Sequence, residues 1–297
     1  MKQIIIKFPV LLTLILICNL SSASAQDDTT MVRNLMLEGI QRMQTGNYKE
    51  SIELFDRGRE TLNRIAIKID EANANVIRSL QLTRQAEREI QNKDFNQALI
   101  LLNEAIEYND KNIEAYKFRG SVRLTLEQEI PRRRDRNYSG LLNDYTNAVR
   151  ITERSIGNTP RNSQERKELE KEMAKILINR AFVKMQTRRR SGFHSAIDDY
   201  TSAVRFDDQN WDGFLGRAVA HQSVRDYRRE VNDYLKAIEL MEKYDHRLSD
   251  DEWARLFLSV AEGYSNLKQT SLAHEFATRA YNLGNVEAER LMERTRP

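Results

Sequence analysis

"LLNDYTNAVRI" at residues 141–151 decides the fold, because it recurs as "AIDDYTSAVRF" at 196–206 and, more loosely, as "VNDYLKAIEL" at 231–240. Asp233 follows Asp199 by 34 residues in these copies. Self-similarity at a fixed interval of this length is typical of proteins that stack one structural unit many times. The sequence therefore predicts a repeat architecture.

Extending the register outward from these copies gives six units, each with a first and a second helix. The small residue of the first helix is Gly39, Ala86, Gly120, Ala181, Ala218 and Ala261 in turn. The small residue late in the second helix is Gly58, Ala105, Ala148, Ala203, Ala237 and Ala280. Small residues let two antiparallel helices approach closely, and a large side chain fills the space beside the contact. The large residue is Phe55, Leu102, Tyr145, Tyr200, Tyr234 and, in the last unit, Ala277.

Periodicity and composition predict an all-α protein. Ala98, Leu101, Leu102 and Ala105 follow the i, i+3, i+4, i+7 pattern of an amphipathic helix. Four prolines and eleven glycines in 297 residues leave little room for a turn-rich β fold. No sustained alternation of polar and apolar residues predicts a strand.

The units resemble the tetratricopeptide repeat (TPR) family, most clearly in "YKESIELFDRG" (48–58), "FNQALILLNEA" (95–105), "YKFRGSVRL" (116–124), "FHSAIDDYTSA" (193–203) and "YRREVNDYLKA" (227–237). The resemblance covers most of residues 32–287. It implies a right-handed α-solenoid of about six helical hairpins. The approximate units are 32–65, 79–112, 113–154, 174–210, 211–244 and 254–287.

Irregular spacing between the units predicts where segments are inserted. Residues 66–78 are expected to lengthen the helices of units one and two, and "EQEIPRRRDRN" (127–137) widens the turn of unit three. Ser249 or Asp250 is expected to cap the first helix of unit six, and Asp207-Asp208 the first helix of unit five. Gly284 is expected to stop a helix. A final helix, 286–294, would cover the exposed apolar end of the stack, and the repeat array is expected to end at residue 287, followed by a cap and tail at 288–297.

The N-terminus has the three parts of a secretory signal peptide. Lys2 and Lys7 are followed by an apolar run at 8–17 and a small-residue stretch at 21–25. The apolar run is shorter than the roughly 20 residues that a membrane-spanning helix needs. We expect cleavage after Ala25, a short tail at 26–31, and a periplasmic or secreted protein without a transmembrane helix.

Cys18 offers an alternative, because bacterial lipoproteins carry a lipidated cysteine just after the apolar run. Ile17 occupies the position where a small residue is needed, which argues against lipidation. Cys18 is also the single cysteine, so the mature chain has neither a disulfide nor a thiolate metal site. Removing Lys2 and Lys7 from the 47 basic residues leaves 45 against 44 acidic residues, which argues against nucleic acid as a partner.

Motifs that would indicate an enzyme or a bound cofactor are missing from the sequence. There is no phosphate-binding glycine loop, no His-Glu-x-x-His and no Gly-x-Ser-x-Gly. His274-Glu275 has Thr278 where a second zinc-binding histidine would stand, so we read this helix as a packing helix with a histidine at its surface. Asp198 and Asp199 point about 100° apart on a helix. We expect one to face solvent and the other to neutralise an arginine. The sequence predicts neither catalysis, nor a cofactor, nor a metal.

Arginine clusters occur in the turns of units three, four and five. They are Arg132, Arg133, Arg134 and Arg136, then Arg188, Arg189 and Arg190, then Arg225, Arg228 and Arg229. Turns within the units of a solenoid fall along one edge, so these residues predict a basic edge. Two readings stay open: a solvated edge partly neutralised by acidic neighbours, or a site for an anionic glycan, a lipid headgroup or an acidic polypeptide.

The resemblance also implies that the first helices line a concave face on which a protein or peptide partner binds. Its facing positions are Arg84, Glu87, Lys117, Ser121, Asn179, Phe182, Leu215, Gln222, Ser259 and Glu262. The family's clamp for a C-terminal carboxylate uses a set order of Lys, Asn and Arg, of which only Lys117 and Asn179 are suggestive. We therefore expect an exported, non-catalytic scaffold whose partner the sequence does not identify.

Overall fold

A computed structural model describes residues 23–131, 136–244 and 248–296, and within these ranges the chain forms helices and no strand. The all-α prediction is confirmed. The helices are α1 (Ala23–Gln44), α2 (Tyr48–Gln91), α3 (Phe95–Tyr108), α4 (Ile113–Glu129), α5 (Ser139–Asn158), α6 (Gln164–Gln186), α7 (Arg190–Phe206), α8 (Trp211–Ser223), α9 (Tyr227–Lys243), α10 (Asp250–Asn266), α11 (Thr270–Asn282) and α12 (Glu287–Arg294).

The described residues divide into two compact units, with the boundary between residues 78 and 79, and α2 belongs to both. In the first unit, α1 packs against α2. The Phe55 ring lies where a Cβ on Gly39 would be, 2.7 Å away, and the Ser51 hydroxyl donates to the Gly39 carbonyl oxygen at 2.9 Å. The segment 66–78 is helical throughout, so one continuous helix stands where we predicted the second helix of unit one and the first of unit two.

The second unit contains five helical hairpins, and each of the helices α3–α12 packs against the next along the chain. The hairpins are α2–α3, in which α2 takes part from residue 79, then α4–α5, α6–α7, α8–α9 and α10–α11. Ile106, Val149 and Ile178 each pack against two neighbouring clusters of buried apolar residues. The interior of this unit therefore extends from hairpin to hairpin, as in an α-solenoid.

The small residues that set the repeat register are all buried in their own units. Ala148 and Ala237 are fully buried, and Ala203 is 1% exposed. The Tyr145 ring lies 3.0 Å from where a Cβ on Gly120 would be, so the large residue does fill the space beside the contact. This confirms the physical basis of the predicted hairpins.

Most predicted helix ends are confirmed, and one is wrong. Ser249 caps α10 in a capping box with Glu252. Gly284 has φ +93° directly after the C-cap of α11. α12 buries Ala288 and Leu291 against the last hairpin, as expected of a terminal cap. Asp207-Asp208, however, does not cap α8. The cap is Asn210, whose side chain accepts from the Asp212 amide, because it immediately precedes the first helical residue.

Gly216 on α8 is needed for close packing against α7. A Cβ at this position would lie 2.4 Å from Cε1 of Tyr200, a residue that is 3% exposed. We expect Gly216→Ala to lower the free energy of unfolding by about 1–3 kcal/mol through overpacking. Urea denaturation measures this change.

The matched control for that prediction is Gly157→Ala on α5, where an added Cβ meets no atom within 4 Å. Alanine there should stabilise the helix by roughly 0.5–1 kcal/mol, since it removes the backbone freedom of glycine. Equal effects of the two substitutions would show that Gly216 is not under packing constraint.

Candidate functional site

A groove with a volume of about 870 Å³ lies between α6 and α8, the first helices of two neighbouring hairpins. Its lining is mainly apolar, and α7 contributes Phe193 and Tyr200. From α6 come Ile178, Asn179, Phe182, Met185 and Gln186, from α8 come Asp212, Leu215, Gly216, Val219 and Ser223, and the turn after α6 adds Arg188. We call this surface the groove.

Two apolar side chains of the groove stand out because they remain accessible to solvent. Phe182 is 41% exposed and Val219 is 40% exposed. Tyr200 is a neutral phenol, since burial, together with the nearby carboxylates of Asp212 and Asp199, raises the pKa of its hydroxyl. A preformed apolar concavity with a few polar groups at its margin is the usual form of a binding site.

The structure brings together three of the predicted facing positions, Asn179, Phe182 and Leu215, in the groove. A second group lies around Glu230 of α9, where Gln222 and Glu262 influence its carboxyl group and Ser259 reaches the neighbouring Tyr234. The remaining facing positions do not join either group. Arg84, Glu87 and Ser121 are simply exposed.

Lys117 forms an ion pair with Glu172 and a second one with Glu114 at 2.9 Å. Burial acts to lower the pKa of its ammonium group, but the hydrogen bonds to both carboxylates outweigh burial and raise it. Lys117 is therefore engaged in linking α4 to α6.

Each hairpin from α4–α5 to α8–α9 contains a buried aspartate that faces two basic side chains of the preceding helix. Asp144 is fully buried and binds Arg119 and Arg123, each at 2.6 Å. Asp199 binds Arg180 at 2.7 Å and Lys184 at 2.6 Å. The third aspartate follows the same arrangement.

Asp233 of α9 binds Arg217 at 2.7 Å, and His221 takes the position of the second basic residue, with Nε2 3.8 Å from the carboxylate. Burial lowers the pKa of His221, although Asp233 acts in the opposite direction. In all three hairpins the two partners lie four residues apart on the first helix, on either side of the small contact residue. This spacing was visible in the sequence and was missed.

Glu230 is the buried acidic group without a partner in the described ranges. It is fully buried on α9, and neither carboxylate oxygen accepts a hydrogen bond there. Burial raises the pKa of Glu230 to about 7. The Gln222 side chain acts to lower this pKa, and Glu262 adds to the increase. Gly263 lets α10 pack closely over this part of α9, because a Cβ there would lie 2.5 Å from Val231, the residue next to Glu230.

The predicted basic edge is brought together only in part. Arg132, Arg133 and Arg134 lie outside the described residues. Arg136, Arg188 and Arg189 line one cavity between the turns of α4–α5 and α6–α7, and Arg190 is exposed beside them. The remaining members are Arg225, Arg228 and Arg229, which are exposed around the turn of α8–α9, and Arg229 pairs with Asp226 at 3.2 Å.

Other groups considered for chemistry have structural partners. Asp199 is buried in its ion pair and Asp198 is exposed, which confirms the interpretation of that pair. His274 Nδ1 lies 2.8 Å from the Met292 carbonyl oxygen and so connects α11 with the end of α12. Within residues 23–131, 136–244 and 248–296, no group of three His, Cys, Asp or Glu residues could hold a metal, and no helix has the length and apolarity to cross a membrane.

Comparisons with known proteins give the fold. No protein-family model and no curated protein sequence matches the chain. Among solved structures, the crystal structure of YrrB, a TPR protein with an unusual peptide-binding site, aligns over 77% of this chain and 97% of its own, at 12% identity and a TM-score of 0.53. The crystal structure of MamA aligns over 71% of this chain and 94% of its own, at 13% identity and a TM-score of 0.49. The YrrB match shows that this chain has the TPR fold.

Proposed function

We propose that the chain is a non-catalytic scaffold that binds a protein or peptide partner in the groove between α6 and α8. The observation that carries this proposal is the apolar lining with Phe182 and Val219 exposed in it. The peptide-binding site of YrrB, a protein of the same fold, adds support.

The physical advantage of such a site is that the groove exists before the partner arrives. Phe182 and Leu215 belong to helices fixed by the buried ion pairs of Asp199 and Asp233. Binding therefore orders few protein side chains, which lowers the entropic cost of association. The groove also carries charges of both signs, since Arg188 follows α6 and Asp212 lies in the first turn of α8.

The proposal includes export. Residues 1–25, with the expected cleavage after Ala25, would direct the chain to the periplasm or the outside of the cell. N-terminal sequencing of the protein from its natural host would test this. A mature chain beginning at Gln26 supports export, whereas an acylated Cys18 at the N-terminus would support the lipoprotein alternative.

Phe182→Ala should weaken binding of groove peptides at least tenfold, because a large exposed ring is removed from the lining. Peptides selected from a random library on the wild-type protein supply the ligands, and fluorescence polarisation measures their affinities. A tenfold loss corresponds to about 1.4 kcal/mol, a typical value for truncating an interface aromatic residue.

Ile100→Ala on α3 is the matched control, since Ile100 is a large apolar side chain that is 58% exposed and does not line the groove. It should leave the peptide affinities unchanged. Selected peptides that bind Phe182→Ala as tightly as wild type, or that lose affinity equally in both variants, would place the binding site elsewhere.

A further inference from the structure

The two ends of the groove carry opposite charges. Among the described residues that line it, Asp212 and Arg188 are charged, and both are exposed. Asp212 lies in the first turn of α8, and Arg188 lies in the turn that follows α6. The positions of these two charges along the groove therefore bear on what the groove can bind.

α6 and α8 run in the same direction along the groove, which gives the order of the residues that line it. Ile178 of α6 lies beside Gly213 of α8, since a Cβ on that glycine would be 3.6 Å from the Ile178 side chain. Seven residues further along each helix, Met185 and Ala220 pack in one apolar cluster. The acidic residue of the lining therefore lies near one end of the groove and the basic residue near the other.

The distance between these ends matches a short stretch of extended peptide. From Ile178 to Gln186, α6 rises about 12 Å, at about 1.5 Å per residue. An extended chain covers about 13 Å in four residues, and its side chains i, i+2 and i+4 lie on one face. A peptide can therefore place one side chain at each charged end and a third side chain midway between them.

The middle of the groove is apolar and accessible. Phe182 stands halfway between Ile178 and Gln186 on α6, and it is 41% exposed. Leu215 of α8 lines the same groove, three residues after Asp212. One apolar stretch between two charged ends suits a single anchor side chain better than the long apolar stripe of a helical ligand.

Both charged groups are able to contact a ligand. Arg188 is exposed and forms no ion pair with any described residue. Its guanidinium has the geometry to bind a carboxylate through two parallel hydrogen bonds. The Asp212 carboxylate has several acceptor positions, so it can accept from a cationic side chain of a ligand in addition to contacts within the protein. The groove is therefore complementary to a ligand that carries both charges.

We infer that the groove binds an extended peptide segment in which an apolar residue lies between a basic and an acidic residue, each two positions away from it. The basic side chain lies at Asp212, the apolar one on Phe182, and the acidic one at Arg188. This inference rests on the proposed function, because it assigns a chemistry to the peptide that the same groove binds. Complementary charges at the two ends fix the register of the peptide along the groove.

Peptides selected from a random library on the wild-type protein test this pattern. Among peptides that lose affinity for Phe182→Ala, we expect an excess with a basic and an acidic residue four positions apart and an apolar residue midway. Arg188→Glu should weaken binding of these peptides by about fivefold or more in fluorescence polarisation, because an attraction becomes a repulsion. Replacing the acidic residue of such a peptide by lysine should restore its affinity for Arg188→Glu.

Arg190→Glu is the matched control, because Arg190 is exposed, has the same charge and does not line the groove. It should leave the peptide affinities unchanged. Equal losses in the two glutamate variants, no recovery with the lysine-substituted peptide, or Phe182-dependent peptides without the charge pattern would overturn the inference, while the groove would remain the binding site. Selected peptides that do not depend on Phe182 would contradict the proposed function, and this inference with it.

Discussion

Asp199→Asn is expected to lower the free energy of unfolding by about 3 kcal/mol, whereas the same change at the neighbouring Asp198 should cost less than about 0.5 kcal/mol. Asp199 is 5% exposed and accepts from Arg180 at 2.7 and 2.9 Å. Lys184 lies 2.6 Å away. Removing the carboxylate charge leaves two partly buried cations without their counterion, which is the expensive way to break a buried ion pair.

Asp198 provides the matched control because it is exposed, on the same helix, and one residue away. Urea denaturation of both variants at pH 7 gives the two free energies. Similar small losses would mean that the Arg180–Asp199 pair is solvated in the native protein. The groove-binding peptides give a second readout, since a shifted α6 would move Phe182 and weaken their binding.

The repeat register could be predicted because it depends on a local requirement. Two helices that cross closely need a small residue at the contact in every hairpin, so Ala181 and Ala218 identify the first helices without knowledge of the surroundings. The acidic pair could be interpreted for a similar reason. Neighbouring residues on a helix face different directions, and only Asp199 was able to face the interior.

Partners across helices were harder to predict from the sequence. Arg180 and Lys184 lie on either side of Ala181, and the same spacing recurs around Gly120 and Ala218. This spacing predicts ion pairs only once the aspartate on the facing helix is known. The N-cap of α8 was also difficult to predict from the sequence alone. Asp207, Asp208 and Asn210 are all good capping residues, and the choice depends on where the backbone becomes helical.

The groove was predicted only in part because its depth depends on two glycines, which have no side chain to keep the helices apart. The resemblance gave Asn179, Phe182 and Leu215 as facing positions, and these do lie together. Gly213 and Gly216 on α8 bring it close to α7, so the depth of the groove follows from close packing that periodicity does not describe. Ten candidate positions therefore resolve into one groove, one cluster around Glu230 and several separate residues.

Glu230 shows most clearly that burial by a neighbouring hairpin cannot be predicted from the sequence of one helix. A glutamate in the first turn of an amphipathic helix is ordinarily a surface residue that benefits from the helix dipole. Here the next hairpin covers it, since Gly263 lets α10 approach Val231 of α9, from which a Cβ would lie 2.5 Å away. The sequence of α9 alone does not indicate that the next hairpin buries Glu230. An acidic residue expected at the surface is therefore buried, and its ionisation opposes folding.

Glu230→Gln should therefore stabilise the protein at pH 8 and have little effect near pH 4.5. The folded-state pKa of Glu230, about 7, lies above the ordinary value of 4.5 that applies to the unfolded chain. The stability that the protonated carboxyl contributes is complete below pH 4.5 and is lost as the pH rises through 7. That difference corresponds to about 3 kcal/mol. Glutamine keeps the size and neutrality of the protonated side chain, so it does not lose this stability.

Urea denaturation of the wild type and Glu230→Gln between pH 4.5 and 8 measures the effect as the difference between two stability curves. Other titrating groups, His221 included, are present in both proteins and cancel. Glu242→Gln, an exposed position on the same helix, is the control and should follow the wild-type curve at every pH. If the curves of wild type and Glu230→Gln run parallel from pH 4.5 to 8, the pKa of Glu230 is the same in the folded and the unfolded protein, and burial does not raise it.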